Sequence, residues 1–119
     1  MTIGVLDDDP TICRFLATAL ELAGHKVYTY TDPQDFLSVY PDRTDYFNCI
    51  IVDFRLPGTS SGAEIIRQVK IDRPSLPAIL ISADALPQTM LQGLSDTAIF
   101  QKPFQFSKLL GMIDVLDAN

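Results

Sequence analysis

The chain has 119 residues, of which 47% are apolar and 20% are charged, a composition typical of one soluble globular domain spanning residues 1–119. The formal net charge of −6 argues against non-specific binding to nucleic acid or to an anionic membrane. No stretch approaches about 18 uninterrupted apolar residues, and no basic signal-peptide segment precedes the first apolar run, so a cytoplasmic location without a membrane anchor is expected.

Strand and helix patterns alternate from the start of the chain. The apolar run Ile3–Leu6 predicts a buried strand. Asp9 and Pro10 then supply an N-cap residue followed by proline at the first helical position. Apolar residues continue at helical spacing to Ala23, and Gly24 is expected to end this first helix.

A second strand and helix follow with the same signals. The run Val27–Tyr30 predicts the strand, and Asp32 followed by Pro33 repeats the capping pattern. The apolar face of the short helix that follows consists of Phe36, Leu37 and Tyr40. The polar segment Pro41–Tyr46 is predicted to be a loop.

The second half of the chain continues the alternation. Cys49–Val52 is apolar throughout, which is typical of a strand buried on both faces of a parallel sheet. The remaining predicted elements are a helix at 61–72, a strand at 78–81, a short and weak fourth helix at 87–94, a strand at 98–100 and a last helix at 106–116. Five strands alternating with helices indicate an α/β fold, a doubly wound parallel sheet with helices on both faces.

Polar side chains follow the predicted strands, at the point where each strand ends. Asp7 and Asp8 follow the first strand, and Asp53 ends the third. Ser82 and Lys102 follow the fourth and fifth strands. Because the carboxyl ends of parallel strands lie along one edge of a sheet, these side chains are expected to converge on one site.

The chemistry of this set indicates a metal ion together with a phosphoryl group. Three carboxylates at one edge repel each other unless a cation lies among them. Oxygen ligands without histidine or cysteine suit Mg²⁺. A lysine and a hydroxyl add a cation and a hydrogen-bond donor for phosphoryl oxygens, which is what phosphoryl transfer demands.

Each of these residues has a plainer interpretation when taken alone. The run Asp7-Asp8-Asp9 is typical of a solvated loop or a helix cap, and Asp9 is the better candidate for the cap. Asp53 alone is typical of a turn, and Ser82 alone of a buried hydroxyl bonded to the backbone. The prediction therefore depends on the whole set lying at the correct ends of the correct strands.

The cysteines and the single histidine do not add a second site. Cys13 and Cys49 lack the spacing of a metal or redox motif and are expected to be reduced thiols. His25 follows Gly24 at a helix end, so a turn or capping role is expected rather than a catalytic one.

Five segments of the sequence match one known family in order and spacing. They are Val5–Pro10, Ile50–Gly58, Ser61–Gly62, Ile79–Ala83 and Lys102–Phe104. Across essentially the whole chain, the sequence resembles the receiver domain of response regulators in two-component signalling. The resemblance implies a flavodoxin-like (βα)5 sheet in the order 2-1-3-4-5.

The resemblance also implies roles for the acidic residues. Asp53 looks like the phosphoacceptor, which receives a phosphoryl group from a sensor histidine kinase or a histidine phosphotransfer protein. Asp8 looks like a direct Mg²⁺ ligand, and Asp7 like a ligand acting partly through water. Together with Asp53, the backbone carbonyl of Arg55 completes the implied metal site. No catalysis beyond the domain's own phosphorylation and dephosphorylation is implied.

A phosphorylation-dependent switch follows from the same resemblance. Ser82 resembles the hydroxyl that moves toward the phosphoryl group, and Lys102 the lysine that pairs with it, in a cis peptide bond with Pro103. Both residues are expected to gain contacts on phosphorylation that they lack in the resting state. The expected output surface is 87–116, which is also the surface of a possible homodimer. No DNA-binding domain is expected within this chain.

The sequence departs from the family pattern at three places. An aromatic residue usually stands three residues before the lysine, where this chain has Ile99, and strand alternation directs Phe100 to the opposite face. Ile99 is interpreted either as a switch residue or as a plain strand residue. The span from Ser82 to Lys102 is about two residues short, which predicts a short, irregular or mobile fourth helix.

The third departure concerns Arg55 and Asp84, which stand two residues after the phosphoacceptor and the hydroxyl. Their opposite charges allow an ion pair across the mouth of the site. Such a lid would hinder the attacking water and lengthen the phosphorylated lifetime. The alternative is two separately solvated side chains.

Three functions from different classes remain open at this stage. The first is a phosphorylated signalling module, either a stand-alone protein or a fragment of a longer regulator. The second is a pseudo-receiver that binds partners without phosphorylation. The third is a Mg²⁺-dependent phosphatase with Asp53 as nucleophile, although Arg55 stands where such enzymes carry a second aspartate.

Overall fold

A computed structural model describes residues 1–39, 47–58, 60–94 and 96–118. These residues form, in chain order, β1 (Thr2–Leu6), α1 (Pro10–Leu22), β2 (Lys26–Tyr30), α2 (Pro33–Val39), β3 (Cys49–Asp53), α3 (Gly62–Asp72), β4 (Ala78–Ser82), a 3-10 helix (Gln88–Leu91), β5 (Thr97–Gln101) and α4 (Phe106–Asp117). The predicted contribution of Tyr40 to the second helix and the predicted loop Pro41–Tyr46 lie outside the described residues. Among the helices that are described, none has the length and apolar character needed to span a membrane.

The five strands form one parallel sheet in the order β2-β1-β3-β4-β5, as predicted. Every residue of β3 and of β4 is buried, which explains why their sequences are apolar without alternation. The order in which strands are added to the sheet changes direction at β1, because β2 lies on one side of β1 and β3 lies on the other. In sheets of this kind, ligands bind at the carboxyl ends of the two strands beside this point, which are β1 and β3.

Two apolar cores lie on opposite faces of the sheet. Alternate strand residues point to opposite faces, so Ile50 and Leu80 enter one core while Ile51 and Ile79 enter the other. The first core is covered by α2 and α3, and the second by α1 and α4. The sheet is therefore doubly wound, as the alternation of elements predicts.

Side-chain caps start α1 and α3, the helices that follow β1 and β3. Asp9 accepts a hydrogen bond from the backbone N–H of Thr11 at 2.9 Å and caps α1, as predicted. Ser61 accepts one from the N–H of Glu64 at 3.3 Å and caps α3. Gly62 begins α3 directly against the backbone of Asp53, where a Cβ atom would overlap the carbonyl group. This close approach fixes the loop after β3 relative to the helix that follows it.

The predicted fourth helix is present only as the four-residue 3-10 helix. The expectation of a short and irregular segment is confirmed, and the flavodoxin-like sheet has four α-helices in the described residues, with this 3-10 helix between β4 and β5. Gly93, with a φ of +78°, ends the segment. Arg67 of α3 donates hydrogen bonds to the carbonyl groups of Met90 and Gln92. A side chain of the neighbouring helix thus satisfies carbonyls that a longer helix would satisfy itself.

The thiols and the histidine occupy structural positions. Cys13 and Cys49 are buried and free, as predicted. Burial raises the pKa of the Cys49 thiol to about 12 and also raises the pKa of Cys13, so both remain protonated at neutral pH. His25 is buried immediately after the left-handed Gly24, which agrees with a turn position.

Candidate functional site

Three carboxylates meet at the edge where β1 and β3 end. One oxygen from each of Asp7, Asp8 and Asp53 lies within 4.8 Å of the others. The paired strands β1 and β3 bring these side chains together, because Leu6 and Val52 are register partners. Asp7 and Asp53 are 2% and 7% exposed, whereas Asp8 faces solvent. The predicted acidic cluster is therefore formed.

Burial raises the pKa values of the two enclosed carboxyls, Asp7 and Asp53. The pKa of Asp7 is raised to about 6, mainly by burial, with a smaller contribution in the same direction from Asp53. A hydrogen bond of 2.9 Å from the backbone N–H of Asp9 acts in the opposite direction. Burial also raises the pKa of Asp53, against the attraction of Lys102. Burial therefore disfavours the ionised forms of both carboxyls, and a cation bound among them would favour those forms.

Lys102 extends from the end of β5 into the acidic cluster. Its Nζ lies 3.4 Å from Oδ1 of Asp53 and 4.0 Å from Oδ2 of Asp7. The Lys102–Pro103 peptide bond is cis, as the family resemblance implies. The ammonium already contacts the predicted phosphoacceptor, and the further contacts that Lys102 is expected to gain on phosphorylation stay a prediction.

Ser82 is buried at the end of β4, and its hydroxyl is turned into the following loop. The Oγ atom donates to the carbonyl of Asp84 at 2.7 Å and accepts from the N–H of the same residue at 3.1 Å. The backbone of Lys102 donates to the carbonyl of Ser82 at 2.7 Å, which ties the ends of β4 and β5 together. Ser82 is thus placed beside the acids, while its hydroxyl is bonded to Asp84. The plainer interpretation of Ser82, a buried hydroxyl bonded to the backbone, is confirmed, although its partner Asp84 was not predicted.

Arg55 and Asp84 form an ion pair across the mouth of the site. The Nε of Arg55 donates to Oδ2 of Asp84 at 3.0 Å, and a terminal nitrogen of the guanidinium contacts the same oxygen. Their side chains are 75% and 53% exposed. The predicted pairing is confirmed, and the alternative of separately solvated side chains is wrong. The role of the Arg55 carbonyl as a metal ligand stays a prediction.

Residues Ile99 and Phe100 point to opposite faces of β5, as predicted. Phe100 packs edge to face against Phe104, with ring centroids 5.4 Å apart, on the side covered by α1 and α4. Ile99 is 39% exposed on the other side of the strand. An exposed aliphatic side chain occupies the position where the family usually has an aromatic one. Its part in switching stays a prediction.

The model of one protein family matches residues 3–114, and it describes the response regulator receiver domain. The chain belongs to this family. A receiver domain, rather than a phosphatase, is thereby supported.

Curated relatives agree with this assignment. The phosphate regulon transcriptional regulatory protein PhoB of Pseudomonas aeruginosa is 33% identical over 116 residues, which cover 94% of this chain and 49% of that protein. The C4-dicarboxylate transport transcriptional regulatory protein DctD of the same organism is 31% identical over 111 residues, covering 92% of this chain and 23% of that protein. The receiver chain thus spans half or less of these two relatives.

Solved structures of receiver domains superimpose closely. The BeF3-activated DrrB receiver domain gives a TM-score of 0.83 at 28% identity, covering 99% of this chain and 97% of that one. A CheY-like receiver domain protein from Methanospirillum hungatei JF-1 gives 0.87 at 24% identity, covering 98% and 94%. The second similarity establishes the receiver fold alone.

Proposed function

We propose that this receiver domain accepts a phosphoryl group on Asp53 from a phosphohistidine of a sensor histidine kinase or a histidine phosphotransfer protein. One observation carries the proposal. Three carboxylates lie within 4.8 Å of one another, and an ammonium lies 3.4 Å from one of them, Asp53. Such a set provides a nucleophile, a metal-binding edge and a cation in one place.

Mg²⁺ is the cation that this donor set fits. Carboxylate and backbone carbonyl oxygens are hard ligands, and the metal-binding cluster found in the described residues consists of three aspartates, without a histidine or cysteine ligand. Asp7, Asp8, Asp53 and the carbonyl of Arg55 would hold the ion. When bound, it supplies positive charge to the phosphoryl oxygens and to the clustered acids.

The transfer step exchanges one bond to phosphorus for another. An oxygen of the Asp53 carboxylate attacks the phosphorus, and the new P–O bond forms as the P–N bond to the donor's imidazole breaks. The imidazole nitrogen keeps the electron pair of that bond and takes up a proton. Lys102, already within reach of Asp53, stabilises the charge on the transferred group.

Phosphorylation then changes what Ser82 can bond. The acyl phosphate offers new acceptor oxygens beside Lys102 and the Ser82 hydroxyl. To donate to them, the Ser82 hydroxyl has to give up its hydrogen bond to the carbonyl of Asp84, because a hydroxyl has one proton. The loop after β4 thereby shifts between two arrangements, and the 3-10 helix, β5 and α4 form the surface that reports it. A homodimer would use the same surface.

The pseudo-receiver is the competing function, motivated by the exposed Ile99 and the missing fourth α-helix. Binding of beryllofluoride, a phosphoryl analogue, separates the two functions. The proposal expects binding that requires Mg²⁺ and is lost in Asp53→Asn, while Asp72→Asn, which changes an exposed acid at the end of α3, binds as wild type. Fluorine NMR of the adduct measures this. A wild-type protein that shows no adduct at saturating Mg²⁺ would establish the pseudo-receiver instead.

Replacing Ser82 with alanine tests the switch. Beryllofluoride should still bind through Asp53, but roughly tenfold more weakly, because a hydrogen bond to a charged group contributes about 1.5 kcal/mol. Ligand-induced amide shifts in 87–116 should shrink in two-dimensional NMR spectra. Ser82→Thr keeps the hydroxyl and should behave as wild type. If beryllofluoride shifts the amide signals of Ser82→Ala as much as those of wild type, Ser82 takes no part in the switch.

A further inference from the structure

The loops after β3 and β4 are joined by a chain of contacts that ends on the Ser82 hydroxyl. Ser82 exchanges two hydrogen bonds with the backbone of Asp84. The side chain of Asp84 accepts from two guanidinium nitrogens of Arg55, which lies in the loop after β3. Arg55 therefore contacts the turn in which the Ser82 hydroxyl is engaged.

We propose that the Arg55–Asp84 ion pair is a latch that favours the resting arrangement of Ser82. Arg55 and Asp84 are then positioning residues, which act on the phosphoryl group only through the Ser82 hydroxyl. The proposal rests on the proposed function of Ser82 and deepens it. The ion pair then affects the equilibrium between the two loop arrangements and does not affect the phosphoryl transfer itself.

Opening of the turn and opening of the ion pair are mechanically linked. Ser82 has a single hydroxyl proton, which it cannot donate to a phosphoryl oxygen while it donates to the carbonyl of Asp84, so the turn closed by these two residues has to open. Opening of that turn displaces the carboxylate of Asp84 from the two guanidinium nitrogens of Arg55. The pair therefore resists activation, and its removal shifts the equilibrium toward the active arrangement.

The exposure of the pair sets the size of the effect. Side chains that are 75% and 53% exposed form an ion pair that is screened by water and salt. A pair of this kind shifts an equilibrium by roughly twofold to fivefold. The latch is therefore a tuning device that the binding energy of a phosphoryl group overcomes.

The latch differs from the lid that the sequence predicts. A lid has to remain closed over the phosphorylated site, because it acts on the attacking water. A latch has to open when phosphorylation occurs. After phosphorylation by acetyl phosphate and removal of the donor, the latch expects Asp84→Asn, which breaks the same ion pair, to lose its phosphoryl group at the wild-type rate. Faster loss in this variant would support the lid and overturn the latch.

A double-mutant cycle on beryllofluoride affinity tests the latch directly. At saturating Mg²⁺, Arg55→Gln and Asp84→Asn should each bind roughly twofold to fivefold more tightly than wild type, and the double variant no more tightly than either. If the two charges acted only through their electrostatic field on the bound anion, the two variants would change the beryllofluoride affinity in opposite directions. Arg55→Gln removes a positive charge and would weaken binding, whereas Asp84→Asn removes a negative charge and would strengthen it. Opposite signs or additive effects would overturn the latch. Arg55→Lys keeps the charge and should lie between wild type and Arg55→Gln.

A ligand-free measurement separates failure of the latch from failure of the proposed function. The Asp84 amide is protected by its bond to the Ser82 hydroxyl, so its hydrogen exchange should be faster in Arg55→Gln with no Mg²⁺ or beryllofluoride present. Thermal melting verifies that the variant is folded. Unaltered exchange at Asp84 would overturn the latch whether or not the protein binds beryllofluoride. Faster exchange in a protein that binds none would leave the latch standing and refute phosphorylation.

Discussion

Replacement of Asp53 with asparagine is expected to abolish phosphorylation by acetyl phosphate and Mg²⁺. The wild-type chain should gain the mass of one phosphoryl group, whereas Asp53→Asn should gain none. The amide oxygen of asparagine is a poor nucleophile, and the variant also loses a charged metal ligand from the cluster. Intact-mass spectrometry of the two proteins under identical conditions measures the difference.

The matched control for this experiment is Asp72→Asn. It makes the same chemical change at an exposed position on α3, away from the acidic cluster, and should be phosphorylated as wild type. Digestion and mapping of the phosphorylated wild type should locate the group on Asp53. A phosphoryl group on Asp53→Asn, or its location on another residue of the wild type, would contradict the assignment.

The polar residues of the site were predictable because the sheet is parallel. A strand that is apolar throughout and then ends in aspartate, as Cys49–Asp53 does, has few alternatives to burial between helices. All carboxyl ends of such strands lie on one edge, so Asp7, Asp53 and Lys102 were expected to converge there, and the structure brings them together. The strand assignments therefore predicted the site before any distance was known.

The contacts that the sequence could not predict depend on side-chain torsions in loops. The turn closed by Ser82 and Asp84 has only a loose sequence signature, because a serine hydroxyl can bond to the backbone of the residue two positions later whatever that residue is. The support of Met90 and Gln92 by Arg67 joins distant segments, and no local pattern indicates it. The shortness of the fourth helix was predictable from its span and from Gly93, because glycine disfavours helix.

Replacement of Asp7 with asparagine is expected to stabilise the metal-free protein and to remove its stabilisation by Mg²⁺. Asp7 is 2% exposed and lies against Asp53, and its pKa is raised from 3.8 to about 6. A raised carboxyl pKa favours the protonated folded state, so this group's contribution to stability is lost as pH rises from about 4 to about 6. At neutral pH, Asp7→Asn should raise the free energy of unfolding by about 1–2 kcal/mol. That is less than the full shift implies, because Lys102 also loses a partner.

Denaturant unfolding with and without Mg²⁺ measures both halves of this expectation. Wild type should gain about 2.7 kcal/mol at a Mg²⁺ concentration one hundred times the dissociation constant, whereas Asp7→Asn at the same concentration should gain little. Asp114→Asn, at an exposed position on α4, should match wild type in both conditions. Equal stabilisation of Asp7→Asn by Mg²⁺ would show that the ion binds elsewhere. A metal-free variant less stable than wild type would show that Lys102, rather than a divalent ion, already compensates the buried acids.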